Sequence, residues 1–126
     1  MADEGEVRYE AFRTGIQEDQ RPWGAFRRFP VEGVGSVKII TVNPGGVLSL
    51  QYHHRRDEFW VILDDGLEMT LESRVWRPAP GEEIWIPRGT RHRVRGTGKR
   101  TARFLELWLG DSDESDIVRV EDVYRR

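Results

Sequence analysis

The sequence has 126 residues, the length of one ordinary domain, and it contains no cysteine. The lack of cysteine excludes disulfide scaffolds, thiolate metal sites and a thiol nucleophile. A formal net charge of −2 argues against a basic nucleic-acid-binding protein, and the apolar runs are too short to cross a bilayer. The acidic N-terminus lacks the positive charge of a signal or transit peptide, so we expect a cytoplasmic protein with no membrane partner.

The N-terminal segment differs in pattern from the rest of the chain. Residues 1–20 are polar and weakly patterned, and we interpret them as an N-terminal arm with one short strand around Val7–Phe12. No internal repeat or Pro/Gly/Ser-rich linker divides the remainder. Residues 21–126 are therefore predicted to form a single domain.

Short segments of alternating apolar residues follow from Ala25 onward, separated by turn residues. Strands are predicted at Val34–Val42, Val47–His53, Glu58–Leu63, Leu67–Glu72, Arg74–Trp76, Glu83–Ile86, Arg91–Arg95, Thr101–Leu109 and Asp116–Val120. About ten short strands without an amphipathic helix are typical of an all-β sandwich or barrel. The last residues, 120–126, have the composition for a single helical turn.

Histidines and a glutamate lie where two predicted strands meet. Gln51 and His53 are two residues apart on one strand, so both side chains point to the same face, while His54 points to the other. Glu58 begins the next strand, and His92 begins a later one. Imidazole and carboxylate ligands from adjacent strands are typical of a first-row divalent metal site.

The spacing around the first two histidines resembles the first sequence motif of the cupin superfamily. That motif consists of a glycine, two histidines, a glutamate and a distal glycine. The residues in those places are Gly45, Gln51 (replacing the first histidine), His53, Glu58 and Gly66.

The second cupin motif is also matched. Its places are taken by Gly81, Pro87, Gly89 and His92 at the expected spacings, with Gly96 where the motif ends in asparagine. Together the two motifs imply a double-stranded β-helix, or jelly-roll barrel. They also imply one divalent metal, with zinc as first choice and manganese, iron or nickel as alternatives. The implied ligands are Gln51, His53, Glu58 and His92.

A longer part of the chain, from about Arg21 to Arg126, resembles type II mannose-6-phosphate isomerase. In many members of that family the cupin domain follows a mannose-1-phosphate guanylyltransferase domain. The resemblance rests on Arg21–Gly24, Pro44–Gly45, Leu48–His54, Arg56, Glu58, Trp60, Ile86–Pro87, Gly89–Thr90, His92, Glu106, Glu114, Asp116–Arg119, Glu121–Tyr124 and Arg126. No segment resembles the glycine-rich nucleotide loop, so we expect a free-standing isomerase-type cupin. The implied activity is interconversion of mannose 6-phosphate and fructose 6-phosphate through an enediol.

Glu106 is the predicted catalytic base, and His54 is the second candidate. Glu106 shares a strand face with Phe104 and Trp108, and burial among aromatic side chains raises the pKa of a carboxyl group. A base whose pKa is near neutral can carry the proton between C2 and C1. The alternative is a structural role for Glu106 as the partner of an arginine.

The phosphate of a sugar phosphate requires cationic side chains. Basic positions of the family are matched by Lys38, Arg56 and Arg119, with Arg88 and Arg126 as further candidates. Arg88 stands where the family usually has alanine, at the expected barrel mouth, where it would alter substrate choice. Phe59 stands where the family usually has histidine and is expected to face away from the metal.

Two other functions remain open, together with the state of assembly. One is a non-catalytic, metal-containing cupin that binds a sugar or sugar phosphate. The other is a different cupin enzyme, such as a sugar-nucleotide epimerase or a dioxygenase; Gln51 in place of histidine argues weakly against the dioxygenase. We also expect a homodimer in which residues 1–20 or an edge strand crosses to the second copy.

Overall fold

The computed structural model describes residues 3–110, 113 and 115–122. These residues form one helix and eleven strands. In chain order the elements are α1 (Glu4–Thr14), β1 (Gln17–Arg21), β2 (Gly24–Arg28), β3 (Val34–Val42), β4 (Leu50–Tyr52), β5 (Arg56–Ile62), β6 (Leu67–Leu71), β7 (Arg74–Trp76), β8 (Glu83–Ile86), β9 (His92–Gly96), β10 (Ala102–Gly110) and β11 (Val118–Glu121). In this described part, no helix has both the length and the apolar character needed to cross a membrane.

Two antiparallel sheets face each other across an apolar core. The first sheet has the order β3-β10-β5-β8, and the second has the order β11-β4-β9-β6-β7. Trp60 of β5 and Phe104 of β10 stack with 4.1 Å between their ring centroids, and they pack against Leu67 and Met69 of the second sheet. The predicted all-β sandwich is confirmed. Its strand positions are close to the predicted ones because alternating residues face the core and the outside.

The first sheet is apolar on its outer face as well. Phe59, Leu107 and Leu109 point away from the main core and form a second cluster with Phe12 of α1. Nearly every residue of β5 is buried, including the three charged residues, Arg56 to Glu58, that precede its apolar run. One face of the first sheet therefore packs against the second sheet, and the helix covers its opposite face.

A helix occupies the N-terminal segment where a strand was expected over Val7–Phe12. It begins after Asp3, whose Oδ1 accepts a hydrogen bond from the main-chain N–H of Glu6 at 2.7 Å, and it ends before Gly15. Only Gly5 and Phe12 are buried on this helix, so the sequence carries almost no apolar periodicity there. The spacing of Asp3 and Glu6 and the presence of Gly15 are the local signals for a helix.

Strands β1 and β2 form a hairpin that belongs to neither large sheet. All five residues of β1 are exposed, so no alternation was available to predict this strand. The hairpin spans the boundary predicted between residues 20 and 21, and the division into arm and domain stays a prediction.

A helical turn was predicted for residues 120–126. Part of that segment belongs to strand β11, and residues 123–126 lie outside the described residues.

The first and last glycines of the first motif are explained by backbone conformation. Gly45 has φ +76° and Gly66 has φ +103°, in the left-handed region that other residues rarely adopt. The main-chain N–H of Gly45 donates to the carbonyl of Gly96 at 3.0 Å, which closes the turn between β3 and β4 onto β9. The first turn leads into β4, which carries Gln51, and the second joins β5, which carries Glu58, to β6.

Packing of α1 on the first sheet predicts a large stability effect at one helical position. Phe12 is 7% exposed, and its ring lies 4.8 Å from Phe59 and 5.9 Å from Trp85 between centroids. Phe12→Ala is expected to lower the free energy of unfolding by about 3 kcal/mol, measured by urea denaturation. Val7 lies on the same helix but is 57% exposed, so Val7→Ala should change stability by less than about 0.5 kcal/mol. Equal losses in the two variants would contradict this packing.

Candidate metal and substrate site

A cavity of about 320 Å³ opens between the two sheets. Aromatic walls are provided by Trp60 and Trp108, and the Nε1 of Trp60 donates a hydrogen bond to the buried Glu58. The predicted site residues that line the cavity are Lys38, Gln51, Arg56, His92, Glu106 and Arg119. The volume suits a small polar molecule.

Three of the predicted metal ligands meet at the base of this cavity. One candidate ligand atom from each of His53, Glu58 and His92 lies within 4.8 Å of the others. Glu58 Oε2 is 2.8 Å from His53 Nε2, and Glu58 Oε1 is 4.0 Å from His92 Nε2. Two imidazoles and a carboxylate are a donor set that first-row divalent metals prefer, so this cluster could bind such an ion.

Main-chain carbonyls orient both histidine rings. The Nδ1–H of His53 donates to the carbonyl of Asp116 at 2.5 Å, and the Nδ1–H of His92 donates to the carbonyl of Thr90 at 3.0 Å. This arrangement is usual for histidine ligands, because it directs Nε2 toward the metal. Both Nε2 atoms here face Glu58.

The buried Nε2 of His92 supports a metal at this place. Burial lowers the pKa of His92, so the ring is neutral at neutral pH. Among the described residues its Nε2 has no hydrogen-bond partner. A buried polar atom without a partner is costly, and coordination of a cation together with Glu58 would remove that cost. The residues present therefore fit a divalent ion.

Gln51, the fourth predicted ligand, is held beside the cluster. Its Cα lies opposite that of His92 in the β4–β9 pair and opposite that of Arg119 in the β11–β4 pair. The Oε1 of Gln51 accepts a hydrogen bond from the Ser49 hydroxyl at 2.7 Å, and a carbonyl oxygen has a second lone pair. Coordination by Gln51 stays a prediction.

Two buried carboxyl groups in this site have very different acidities. Burial raises the pKa of Glu106 to about 8, and the negative charge of Glu58 adds to the shift. Burial also opposes ionisation of Glu58, but the hydrogen bond with His53 and the nearby His92 outweigh it and lower its pKa to about 2. The Oε1 of Glu106 accepts a hydrogen bond from Trp108 Nε1 at 2.5 Å. Glu58 is thus suited to stay ionised, and Glu106 is suited to accept and release a proton.

Two of the predicted phosphate-binding cations stand against the same aromatic ring. The Arg56 guanidinium carbon lies 3.5 Å from the centroid of Trp108, and Lys38 Nζ lies 3.9 Å from it. The Cα of Lys38 is also opposite that of Glu106 in the β3–β10 pair. The structure therefore brings Lys38, Arg56 and Arg119 to the cavity, and their role in binding a phosphate group stays a prediction.

Other predicted residues lie elsewhere. The main-chain N–H and Nη2 of Arg88 donate to Asp57 at 2.9 and 3.1 Å on the outer face of the first sheet, so Arg88 does not reach the cavity. His54 is exposed, because it alternates with the buried His53. Phe59 faces away from the cluster, as expected, and packs on α1. Arg126 lies outside the described residues.

Asp116 is a site residue whose role the sequence did not suggest. Its carboxylate accepts hydrogen bonds from the main-chain N–H groups of His54 and Arg55 at 3.0 and 2.8 Å, while its carbonyl orients His53. It thereby holds the turn between β4 and β5, which begins with His53 and leads into the strand that carries Glu58. Its presence in a block that matches the isomerase family was the available signal.

The ligand cluster predicts loss of metal when both histidines are removed. The double variant His53→Ala/His92→Ala should retain no stoichiometric divalent metal by elemental analysis, because one carboxylate cannot hold the ion alone. His54→Ala, which removes the neighbouring exposed imidazole, should keep the metal. Full metal content in the double variant would show that other residues bind the metal.

The position of Asp116 predicts an indirect effect on metal affinity. Asp116→Ala should weaken binding by about tenfold or more, because the turn that presents His53 loses two hydrogen bonds. Asp116→Asn keeps one acceptor and should fall between the wild type and Asp116→Ala. Competition with a chromophoric chelator measures this, and unchanged affinity in a folded Asp116→Ala variant would contradict the role.

Comparison with known proteins identifies relatives across most of the chain. The mannose-6-phosphate isomerase C-terminal family matches residues 10–122. The alginate biosynthesis protein AlgA of Pseudomonas putida is 39% identical over 110 residues, covering 86% of this chain and 23% of AlgA. The mannose-1-phosphate guanylyltransferase ManC of Salmonella typhimurium is 37% identical over 111 residues, covering 87% of this chain and 23% of ManC. The chain thus spans about a quarter of the length of these relatives.

Solved structures agree on the fold. The capsular polysaccharide assembling protein CapF from Staphylococcus aureus superposes with a TM-score of 0.61 at 18% identity, covering 85% of this chain and 34% of CapF. A cupin 2 domain-containing protein from Halorhodospira halophila gives a TM-score of 0.57 at 24% identity, covering 62% of this chain and 53% of that one. The predicted cupin double-stranded β-helix is confirmed.

Proposed function

Because the chain belongs to the mannose-6-phosphate isomerase C-terminal family, we propose that it is a metal-dependent isomerase that interconverts mannose 6-phosphate and fructose 6-phosphate. The observation that carries the proposal is one cavity lined both by Glu106, whose pKa is raised, and by His92, which belongs to the cluster with His53 and Glu58. That combination provides a proton carrier beside a site for an electrophile.

The reaction moves two hydrogens and no net electrons. A proton leaves C2 of the open-chain aldose and returns to C1, while the hydroxyl proton shifts from O2 to O1, so no redox cofactor is needed. A divalent ion, zinc by first choice, held by the two histidines, Glu58 and Gln51, would polarise the carbonyl and stabilise the developing oxyanion. Glu106 takes the proton from C2 and delivers it to C1.

Side chains around the cavity suit the rest of the substrate. Lys38, Arg56 and Arg119 provide positive charge for the phosphate group. The indole N–H of Trp108 holds Glu106 in place. Arg88 and His54 take no part in this proposal, because Arg88 is paired with Asp57 and the His54 side chain is exposed.

Turnover by the metal-loaded protein tests the proposal. Incubation with mannose 6-phosphate should produce fructose 6-phosphate, and deuterium at C2 should be partly lost to solvent, because a carboxyl group exchanges the proton it carries. If the fully metallated protein binds mannose 6-phosphate without turning it over, the alternative applies and the protein is a sugar-phosphate-binding cupin.

Substitution of the proposed base predicts a loss of rate without loss of metal. Glu106→Gln keeps the shape and the hydrogen-bond acceptor but cannot take a proton, so kcat should fall about 10²- to 10⁴-fold. Metal content should be unchanged. Glu68→Gln removes a carboxylate paired with Arg95 on the outer surface, and it should leave kcat unchanged. Wild-type kcat in Glu106→Gln would assign the proton transfer to another group.

A homodimer remains our expectation for the assembly. The edge strand β3 exposes Val37 and Ile39, at 62% and 60%, on the side away from the cavity, and this favours pairing with a second copy over exchange of the N-terminal segment. Light scattering at low micromolar concentration should give twice the monomer mass, and Ile39→Lys should shift the protein to monomer. A wild-type protein that is monomeric throughout would contradict the expectation.

A further inference from the structure

The guanidinium of Arg56 contacts two of the atoms that a metal ion would use. Its Nε donates to Glu58 Oε2 at 3.3 Å, and its Nη2 lies 3.2 Å from His53 Nε2. These are the same carboxylate oxygen and imidazole nitrogen that lie 2.8 Å apart in the ligand cluster.

The position of Arg56 is determined by the surrounding structure. The side chain is buried, with 4% of the residue exposed, and its guanidinium lies against the face of Trp108. Its Nη1 donates to the carbonyl of Asp113 at 3.3 Å. Contacts on three sides keep the cation beside Glu58, which is itself buried and needs a positive partner.

We propose that Arg56 is an internal cation that competes with the divalent metal for Glu58 and His53, so that this arginine lowers the metal affinity of the site. The inference rests on the proposed metal-dependent function. An oxygen lone pair that accepts an N–H from Arg56 is not available for coordination, and two cations at the same pair of atoms repel each other. If an ion displaced the guanidinium from Glu58 and His53, Arg56 would keep its contacts with Trp108 and the Asp113 carbonyl and would offer its charge to an anion in the cavity.

Arg93 provides a matched control for this competition. It lines the same cavity and carries the same charge, but its guanidinium donates to the carbonyl of Leu48 and to Glu121. Loss of Arg93 changes the charge of the cavity and leaves the contacts of Glu58 and His53 in place. A general electrostatic effect would therefore appear in both variants, whereas competition for the ligand atoms would appear only at Arg56.

The test compares Co²⁺ affinity in the wild type, Arg56→Met and Arg93→Met by competition with a chromophoric chelator at pH 7. Methionine keeps an unbranched side chain over Trp108 and removes the charge. Arg56→Met should bind Co²⁺ roughly 10- to 100-fold more tightly, which corresponds to one lost hydrogen bond to a charged group. Arg93→Met should stay within about threefold of the wild type. The visible spectrum of bound Co²⁺ should have the same form in all three proteins, because the ligand set is the same.

Each result of this affinity comparison either supports or overturns the proposed competition between Arg56 and the metal. Unchanged or weaker affinity in Arg56→Met, or equal tightening in Arg93→Met, overturns the competition. If Arg56→Met fails to fold, Arg56→Gln, which also lacks the charge, provides the same comparison. If none of the proteins binds Co²⁺, the inference fails together with the metal-dependent function. Tighter binding in Arg56→Met without any isomerase activity upholds the inference and overturns only the proposed reaction.

Discussion

The carboxylate of Glu58 is buried between the two sheets, with 1% of the residue exposed, and the architecture around the cavity depends on keeping it charged. Its Oε1 accepts a hydrogen bond from Trp60 Nε1 at 2.9 Å, and its Oε2 accepts one from Arg56 Nε and lies beside His53. An isolated carboxylate in such surroundings would cost several kcal/mol. Removal of any one neighbour leaves part of that charge uncompensated, so these side chains act as a unit.

Strand β5 connects this buried charge to the opposite side of the sheet. Asp57, the residue before Glu58, points outward, where Arg8 of α1 donates to its two oxygens at 2.6 and 3.0 Å and Arg88 adds two further hydrogen bonds. Two consecutive carboxylates thus have separate sets of cationic partners on the two faces. The helix and the cavity are coupled through one strand, and loss of α1 would disturb the strand that carries Glu58.

The two buried carboxyl groups of the site, Glu58 and Glu106, differ in acidity because their surroundings differ. Glu58 has donors and a cation within hydrogen-bond distance, whereas Glu106 has the Trp108 N–H, the neighbouring negative charge of Glu58 and the positive charge of Lys38. The same pair of glutamates therefore provides a permanent anion for an electrophile and a group that exchanges a proton near neutral pH. Trp108 takes part in both sets of contacts, because its ring lies against the Arg56 guanidinium and its N–H donates a hydrogen bond to Glu106.

The sequence by itself determined the strands that alternate and the set of candidate ligands. Alternation over Val34–Val42 and the spacing of His53 and Glu58 are local properties, because a two-residue period and a tight turn place side chains on a face without reference to distant contacts. The direction of the pKa shift of Glu106 was predicted from its place between Phe104 and Trp108, but the burial and the charge of Glu58 that raise this pKa come from the tertiary structure, and the Trp108 N–H acts in the opposite direction.

Only the tertiary structure decided where Arg88 points and how the polar N-terminal segment folds. Arg88, which follows β8, is drawn to the outer face by Asp57, and α1 forms where a buried surface on the first sheet accepts Phe12. A long cationic side chain outside a strand can extend in several directions, and a helix with two buried residues has little periodicity, so neither outcome is encoded nearby in the chain. Each depends on the partner that a distant strand presents.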